Sequence, residues 1–364
     1  MDRCPTEVLD LICAEACTDD GYTGRALALV SKRISEISSR HALNSIALYG
    51  PRQISAFVAL LEGREDKDRR VRHLYLTDSR RLRMELAPGE DVDNWMRRRL
   101  LDQQWLAEHL LDQDDDVFDP LPNLRILRIV APHLRTLTYL IFTGRYLREE
   151  LTMVTFPRLE ELTLHASSLA STGPSPTGML SVPTLRRLHI IQRYSWQREI
   201  VQLIADLAPH LTHLRHSRIV AGVLPPIVEH LLVGLERMLE DQGASNAPDT
   251  TQPRLPSSLQ RVIVEWPQQV IWGGSVPLGL SDSPAAYPLR EIACRDACKR
   301  IVVVRPHVWH LACMHGTDAG ANVELYMDVK ASWESRILGH EGIWRVDPAD
   351  ILAMHGLDEE HASE

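Results

Sequence analysis

"FPRLEELTL", residues 156–164, holds the key to the fold of this chain. A proline leads into Leu159, Leu162 and Leu164, a ladder of the form apolar-x-x-Leu-x-Leu that suits a short, half-buried strand. The form returns as "VRHLYL" from Val71, "LRILRI" from Leu124, "LRRLHI" from Leu185, "LTHLRH" from Leu211, "LQRVIV" from Leu259 and "LREIAC" from Leu289. Prolines stand one to three residues ahead of five of them (Pro122, Pro157, Pro183, Pro209 and Pro256), and Pro288 precedes a sixth. From Leu124 onward the starts lie 35, 26, 26, 48 and 30 residues apart. A lead-in that recurs with its ladder marks a stacked supersecondary unit.

Toward the N-terminus, "NSIALYG" (44–50) reads as a strand, "PRQISAFVALLEG" as a helix begun by Pro51, and "VRHLYLTDS" (71–79) as the next strand. The pattern resembles leucine-rich repeats, which implies an α/β fold: parallel strands form one sheet, their apolar residues share a continuous core, and helices cover the outside. The Asn or Cys expected at the ninth ladder position is replaced by Pro132, Ser167, Arg193 and Pro267. An irregular, helix-rich solenoid over residues 44–364 is therefore expected. Residues 94–112 and 195–210 carry apolar side chains at three and four spacing, as outer helices do. The Ser, Thr, Gly and Pro content of 166–178 and 241–253 predicts mobile loops, and 273–288 is a third break in the repeat pattern. Beyond Lys299, "RIVVV" and "NVELYMDV" read as strands and "KASWESRILGH" as a helix, a C-terminal capping unit ending in the acidic "DEEHASE".

The first 43 residues have a different pattern. Pro5 suits the first turn of a helix whose buried side is Val8, Leu9, Ile12, Cys13 and Ala16. Thr18 to Gly21 break it, Thr23 can cap a second helix, and Leu27, Val30, Ile34 and Ile37 recur at helical spacing through "GRALALVSKRISEIS". Together, "CPTEVLDLI" and "LALVSKRISEIS" resemble the F-box, in the degenerate F-box-like form common in fungal proteins; Cys4 stands where Leu is usual and Ile34 where Trp often is. The resemblance covers about residues 3–42. It implies docking onto the Skp-type linker of an SCF-type cullin-RING ubiquitin ligase, through Pro5, Val8, Leu9 and Ile12 on the first helix and Leu27, Val30 and Ser31 on the second. The repeat array would then hold a substrate protein. The same helices read otherwise as a cap on the array.

Composition narrows the function classes. The 364 residues carry a formal charge of -9, which argues against broad nucleic-acid binding, and Arg97–Arg99 is the longest basic run. Neither a secretory signal nor an apolar stretch of the ~20 residues that span a bilayer is found, so a cytoplasmic or nuclear location is expected. Six cysteines in so long a chain read as reduced, core-filling residues. No phosphate-binding glycine loop or GxSxG elbow is present, and "HEGIW" (340–344) lacks the second His of a zinc-hydrolase helix. Cys294 and Cys298, with Cys313 and His315 near in sequence, have the best metal-like spacing, yet lack a second tight pair. Asp114–Asp116 read as a solvated turn. The expectation is a non-catalytic adaptor with no cofactor and no metal. A repeat scaffold unrelated to ubiquitin is the alternative, and a metal-dependent enzyme a more distant one.

Overall fold

The computed structural model describes residues 4–77, 121–141, 154–165, 182–191, 200–217, 220–221, 226–240, 254–265, 268–269, 286–305 and 319–353. The expectations for 94–112, 166–178 and 241–253, Asp114–Asp116, Cys313, His315 and the acidic tail lie outside them. So does most of 273–288.

Three short helices open the chain: α1 (Thr6–Ala16), α2 (Tyr22–Ala28) and α3 (Lys32–Ser38). The helical stretch after the first helix is divided at Leu29–Ser31, where the Ser31 hydroxyl accepts the Ile34 N–H at 3.2 Å and starts α3 afresh. Asp19, not Thr23, caps α2: its carboxylate accepts the N–H groups of Gly21 (3.0 Å) and Thr23 (2.8 Å).

Next come β1 (Ser45–Tyr49), α4 (Gly50–Glu62), β2 (His73–Thr77), α5 (Leu121–Val130), β3 (Thr136–Leu140), β4 (Glu161–His165) and β5 (Arg187–Ile191). After them lie α6 (Ile200–Leu207), β6 (His213–Ser217), β7 (Val220–Ala221), α7 (Pro226–Glu240), β8 (Arg261–Glu265) and β9 (Gln268–Gln269). The described chain closes with α8 (Ala286–Arg295), β10 (Ile301–Val304), α9 (Ala319–Ile337) and β11 (Ile351–Ala353). Among the described residues, nine strands form one sheet in the order β1-β2-β3-β4-β5-β6-β8-β10-β11, and β7 pairs with β9 apart from it. Every pair in the large sheet is parallel except β10 with β11.

The ladder sets the register. Ile46, Leu74, Leu137, Leu162, Leu188, Leu214, Val262 and Ile301 lie opposite one another from strand to strand, all buried against the helices. One row further along stand Leu48, Leu76, Tyr139, Leu164, Ile190, His216, Val264 and Val303. Because strand side chains alternate, these rows make one continuous apolar face, and burying each Leu stabilises by about 1.5–3 kcal/mol. Helices α4 and α5 pack together over it, as do α6, α7 and α8.

Two of the seven ladders are not strands. "LRILRI" lies within α5, where Asn123, Ile126, Leu127 and Val130 are buried, the i, i+3, i+4, i+7 stripe of a helix. The strand comes later, at "LRTLTYL" (134–140), and Pro132 leads into it. With Leu134 in place of Leu124, the starts at Leu134, Leu159, Leu185 and Leu211 lie 25, 26 and 26 residues apart. "LREIAC" likewise lies in α8, with Leu289, Ile292, Ala293 and Asp296 buried at the same spacing, and β10 supplies the strand. "NVELYMDV", expected as a strand, falls inside α9. The edge of the sheet is closed instead by β11 pairing antiparallel to β10.

Candidate docking site on the N-terminal helices

A small core holds the three helices together: Leu9 and Cys13 of α1 against Ile34 and Ile37 of α3, with Cys4 and Leu27 partly buried beside them. Arg33 reaches back across this core to donate to the Cys4 carbonyl at 2.7 Å. Of the residues read as linker contacts, Pro5, Val8, Ile12, Val30 and Ser31 are exposed, Leu27 is half-buried, and Leu9 is 5% exposed within the core. Ser31 also uses its hydroxyl to cap α3. Helical periodicity misses three further exposed apolar side chains, Leu11 (67%), Tyr22 and Leu29 (87%). Their signal is excess: α1 has more apolar residues than one face of an eleven-residue helix can bury.

Cys13 and Cys17 are buried. Burial pushes the Cys17 thiol up to about 11, with Cys13 and Asp19 adding to the effect, and burial with Asp10 beside it raises Cys13. Both are thiols at neutral pH, so neither is a ready nucleophile or metal ligand. Among the described residues, no group of three or more His, Cys, Asp or Glu is placed to hold a metal ion. Nor is any described helix long and apolar enough to cross a membrane.

The unit is fixed to the first strand of the sheet. A Cβ on Gly24 of α2 would meet the Ala42 backbone at 2.7 Å, so only glycine permits this approach, and Gly21 (φ +89) lies against Ile46. His41 and Asp10 pair at 2.9 Å, tying α1 to the segment that leads into β1.

The sheet face opposite the main core mixes polar groups with two apolar clusters, and the C-terminal segment crosses it. Trp333 of α9 packs on Tyr75 with ring centroids 5.7 Å apart, and Val329 joins the same cluster. Glu161, buried on β4, accepts from Arg336 at 3.0 Å and from the Trp344 indole N–H at 3.1 Å, while Arg187 stands 3.6 Å away. Lys330 lies 2.6 Å from Glu334 and 3.5 Å from Asp20, so α9 also touches the turn between α1 and α2. Beneath α9 a cavity of about 10 Å³, edged by Thr138, Thr163 and Ser332, has room for roughly one water.

Further along this face, Arg215 pairs with Glu265 at 3.2 Å and donates to the Ile343 carbonyl. Its Nε–H donates to Ser217 Oγ at 3.2 Å, and that oxygen lies 2.9 Å from His189 Nε2. A Ser–His pair invites comparison with nucleophilic catalysis. Here both residues are buried, and an arginine N–H occupies the serine oxygen, which lowers its nucleophilicity. Burial first, then Arg215 and His216, holds the His189 pKa well below its ordinary value, which weakens it as a base. The cluster is a buried polar network that joins β5, β6 and β8 to the turn after α9.

No family model matches this chain, and neither does any curated protein or solved structure.

Proposed function

We propose that this chain is a non-catalytic adaptor: its F-box-like N-terminal helices dock onto a Skp-type linker of an SCF-type ubiquitin ligase, and its leucine-rich-repeat-like array holds a substrate protein. One observation carries the proposal. A three-helix unit with its own small core leaves Val8, Leu11, Ile12, Leu29 and Val30 in solvent, although a 364-residue chain has ample interior to bury them. Val8, Leu11 and Ile12 stand at i, i+3 and i+4 on one face of α1, and contiguous exposed apolar surface marks a contact surface. Such a contact draws most of its energy from a few anchors in well-packed pockets. The same unit also meets β1 where Gly21 lies against Ile46, so docking and capping are compatible roles for it.

Co-purification with a Skp-type linker tests the proposal, with wild type beside Val8→Asp/Ile12→Asp and circular dichroism on both. Binding by wild type, lost in a folded double variant, is the expected result. A folded wild type that does not bind would sink the ubiquitin role and leave a repeat scaffold.

A further inference from the structure

Each strand of the array is entered through the same backbone device. The Arg72 carbonyl accepts the N–H groups of Arg135 (2.7 Å) and Thr136 (3.1 Å), that of Arg135 accepts Glu160 and Glu161, that of Glu160 accepts Arg186 and Arg187, and that of Arg186 accepts Thr212 and His213. One residue per repeat is thereby set side by side with its equivalents at the strand spacing of about 4.8 Å. Arg72, Arg135, Glu160 and Arg186 fall in this column, and all four are exposed. Two residues earlier in the repeat, Arg70 and Arg158 are exposed as well.

Charge along this rim runs against the rest of the chain. Five arginines meet one carboxylate, Glu160, in a protein whose net charge is -9. Among the described residues, none of Arg70, Arg72, Arg135 and Arg158 has a carboxylate partner, and the Arg186 guanidinium donates to the His210 carbonyl at 3.0 Å rather than to a carboxylate. Their field is felt inside the cluster. Besides burial, Arg70, Arg158 and Arg72 together lower the pKa of His133.

We propose that this rim, along the leading ends of β2 to β5, binds an extended acidic protein segment. Arg72 to Arg186 spans three strand spacings, about 14 Å, which an extended chain covers in about four or five residues. Guanidinium groups pair with carboxylates in two-pronged fashion, and arginine clusters are a recurring reader of acidic motifs. A short acidic peptide suits the rim better than nucleic acid does. A long polyanion brings surplus charge against a net negative protein, and the described residues of the rim include no exposed aromatic on which bases would stack. The inference deepens the adaptor reading by giving the array's partner a chemistry, and rests on it for that partner being a protein. Its test uses this chain alone, so its failure is separate from failure of linker docking.

The test is fluorescence anisotropy with a labelled Asp/Glu peptide long enough to span the rim, beside its Asn/Gln counterpart and a single-stranded oligonucleotide of equal charge. Wild type should bind the acidic peptide alone, and added salt should weaken it. Arg72→Glu/Arg135→Glu/Arg186→Glu should lose at least about tenfold in affinity, about 1.4 kcal/mol. Arg295→Glu on α8, the same change away from the rim, should bind as wild type does. Should the triple Glu variant misfold by circular dichroism, the Gln series at the same positions replaces it and should also weaken binding. Equal binding of the amide peptide, no binding by folded wild type, undiminished binding by the folded triple variant, or tighter binding of the oligonucleotide would overturn the proposal.

Discussion

The N-terminal helices and the strand array use apolar residues in opposite ways. In the array, the ladder side chains point inward row upon row, and Leu74, Leu162, Leu188 and Leu214 are wholly or almost wholly buried. In the helical unit four residues make the core, while Val8, Leu11, Ile12, Leu29 and Val30 remain outside. A strand with neighbours on both sides shares its apolar face with theirs, so the core lengthens with each repeat. Three short helices have no such continuation. Their surplus apolar surface must meet another molecule or stay wet.

The contrast is tested hardest in the array. Leu162→Ala removes a side chain packed on every side and should cost about 2–5 kcal/mol, read as a lowered urea midpoint. A loss below about 1 kcal/mol would show the ladder to be loosely packed.

Acid should strain the array next. His73 and His216 both titrate at about 4, held down first by burial; Arg72 and Arg135 add to this at His73, while Glu265 partly offsets it at His216. Their unfolded values lie at about 6.5, so between those limits the unfolded chain takes up protons that the folded chain refuses. Stability from these groups is complete above pH ~6.5 and falls as pH drops toward 4, by up to about 3 kcal/mol for each. Urea titrations from neutral to acid pH on wild type and His73→Asn should give the variant the shallower decline. Equal slopes would remove His73 from the account.

Gly24→Val attacks the contact between α2 and the turn that leads into β1. Its Cβ would drive into the Ala42 backbone, so α2 must shift off that turn, at about 1–3 kcal/mol. Faster proteolysis confined to residues 4–43 is the expected signature. Unchanged protection would mean that other contacts hold the helices on that turn, such as His41 with Asp10.

The smallest effect on stability belongs to Val8→Asp/Ile12→Asp. Both positions already face water, so the urea midpoint should shift by no more than about 0.5 kcal/mol while linker binding disappears. A large loss of stability would place these side chains in a core instead.

Legibility tracks the range of the interactions involved. The strands at 161–165, 187–191 and 213–217 can be read directly, because alternation of side chains about a strand is a local property. The candidate docking surface is legible as an apolar excess on α1, yet Leu9 reads as a contact in the sequence because its burial depends on α3 folding back at Ser31. Apolar-x-x-Leu also satisfies the i, i+3 stripe of a helix, so "LRILRI" and "LREIAC" match the ladder and fold as α5 and α8.

Local pattern along the chain was therefore enough for the repeating strand, its inward and outward faces, and a helical N-terminus with more apolar residues than it can bury. Tertiary packing selected which copies of the ladder become strands, since that turns on whether a neighbouring strand is in place to take their hydrogen bonds. It laid α9 across the sheet face opposite the main core through Glu161, Arg336 and Trp344, groups 175 and 183 residues apart. It also aligned Arg72, Arg135 and Arg186, far apart in the chain, along one rim. Side-chain period is set within a few residues, whereas register and juxtaposition exist only once distant segments have paired.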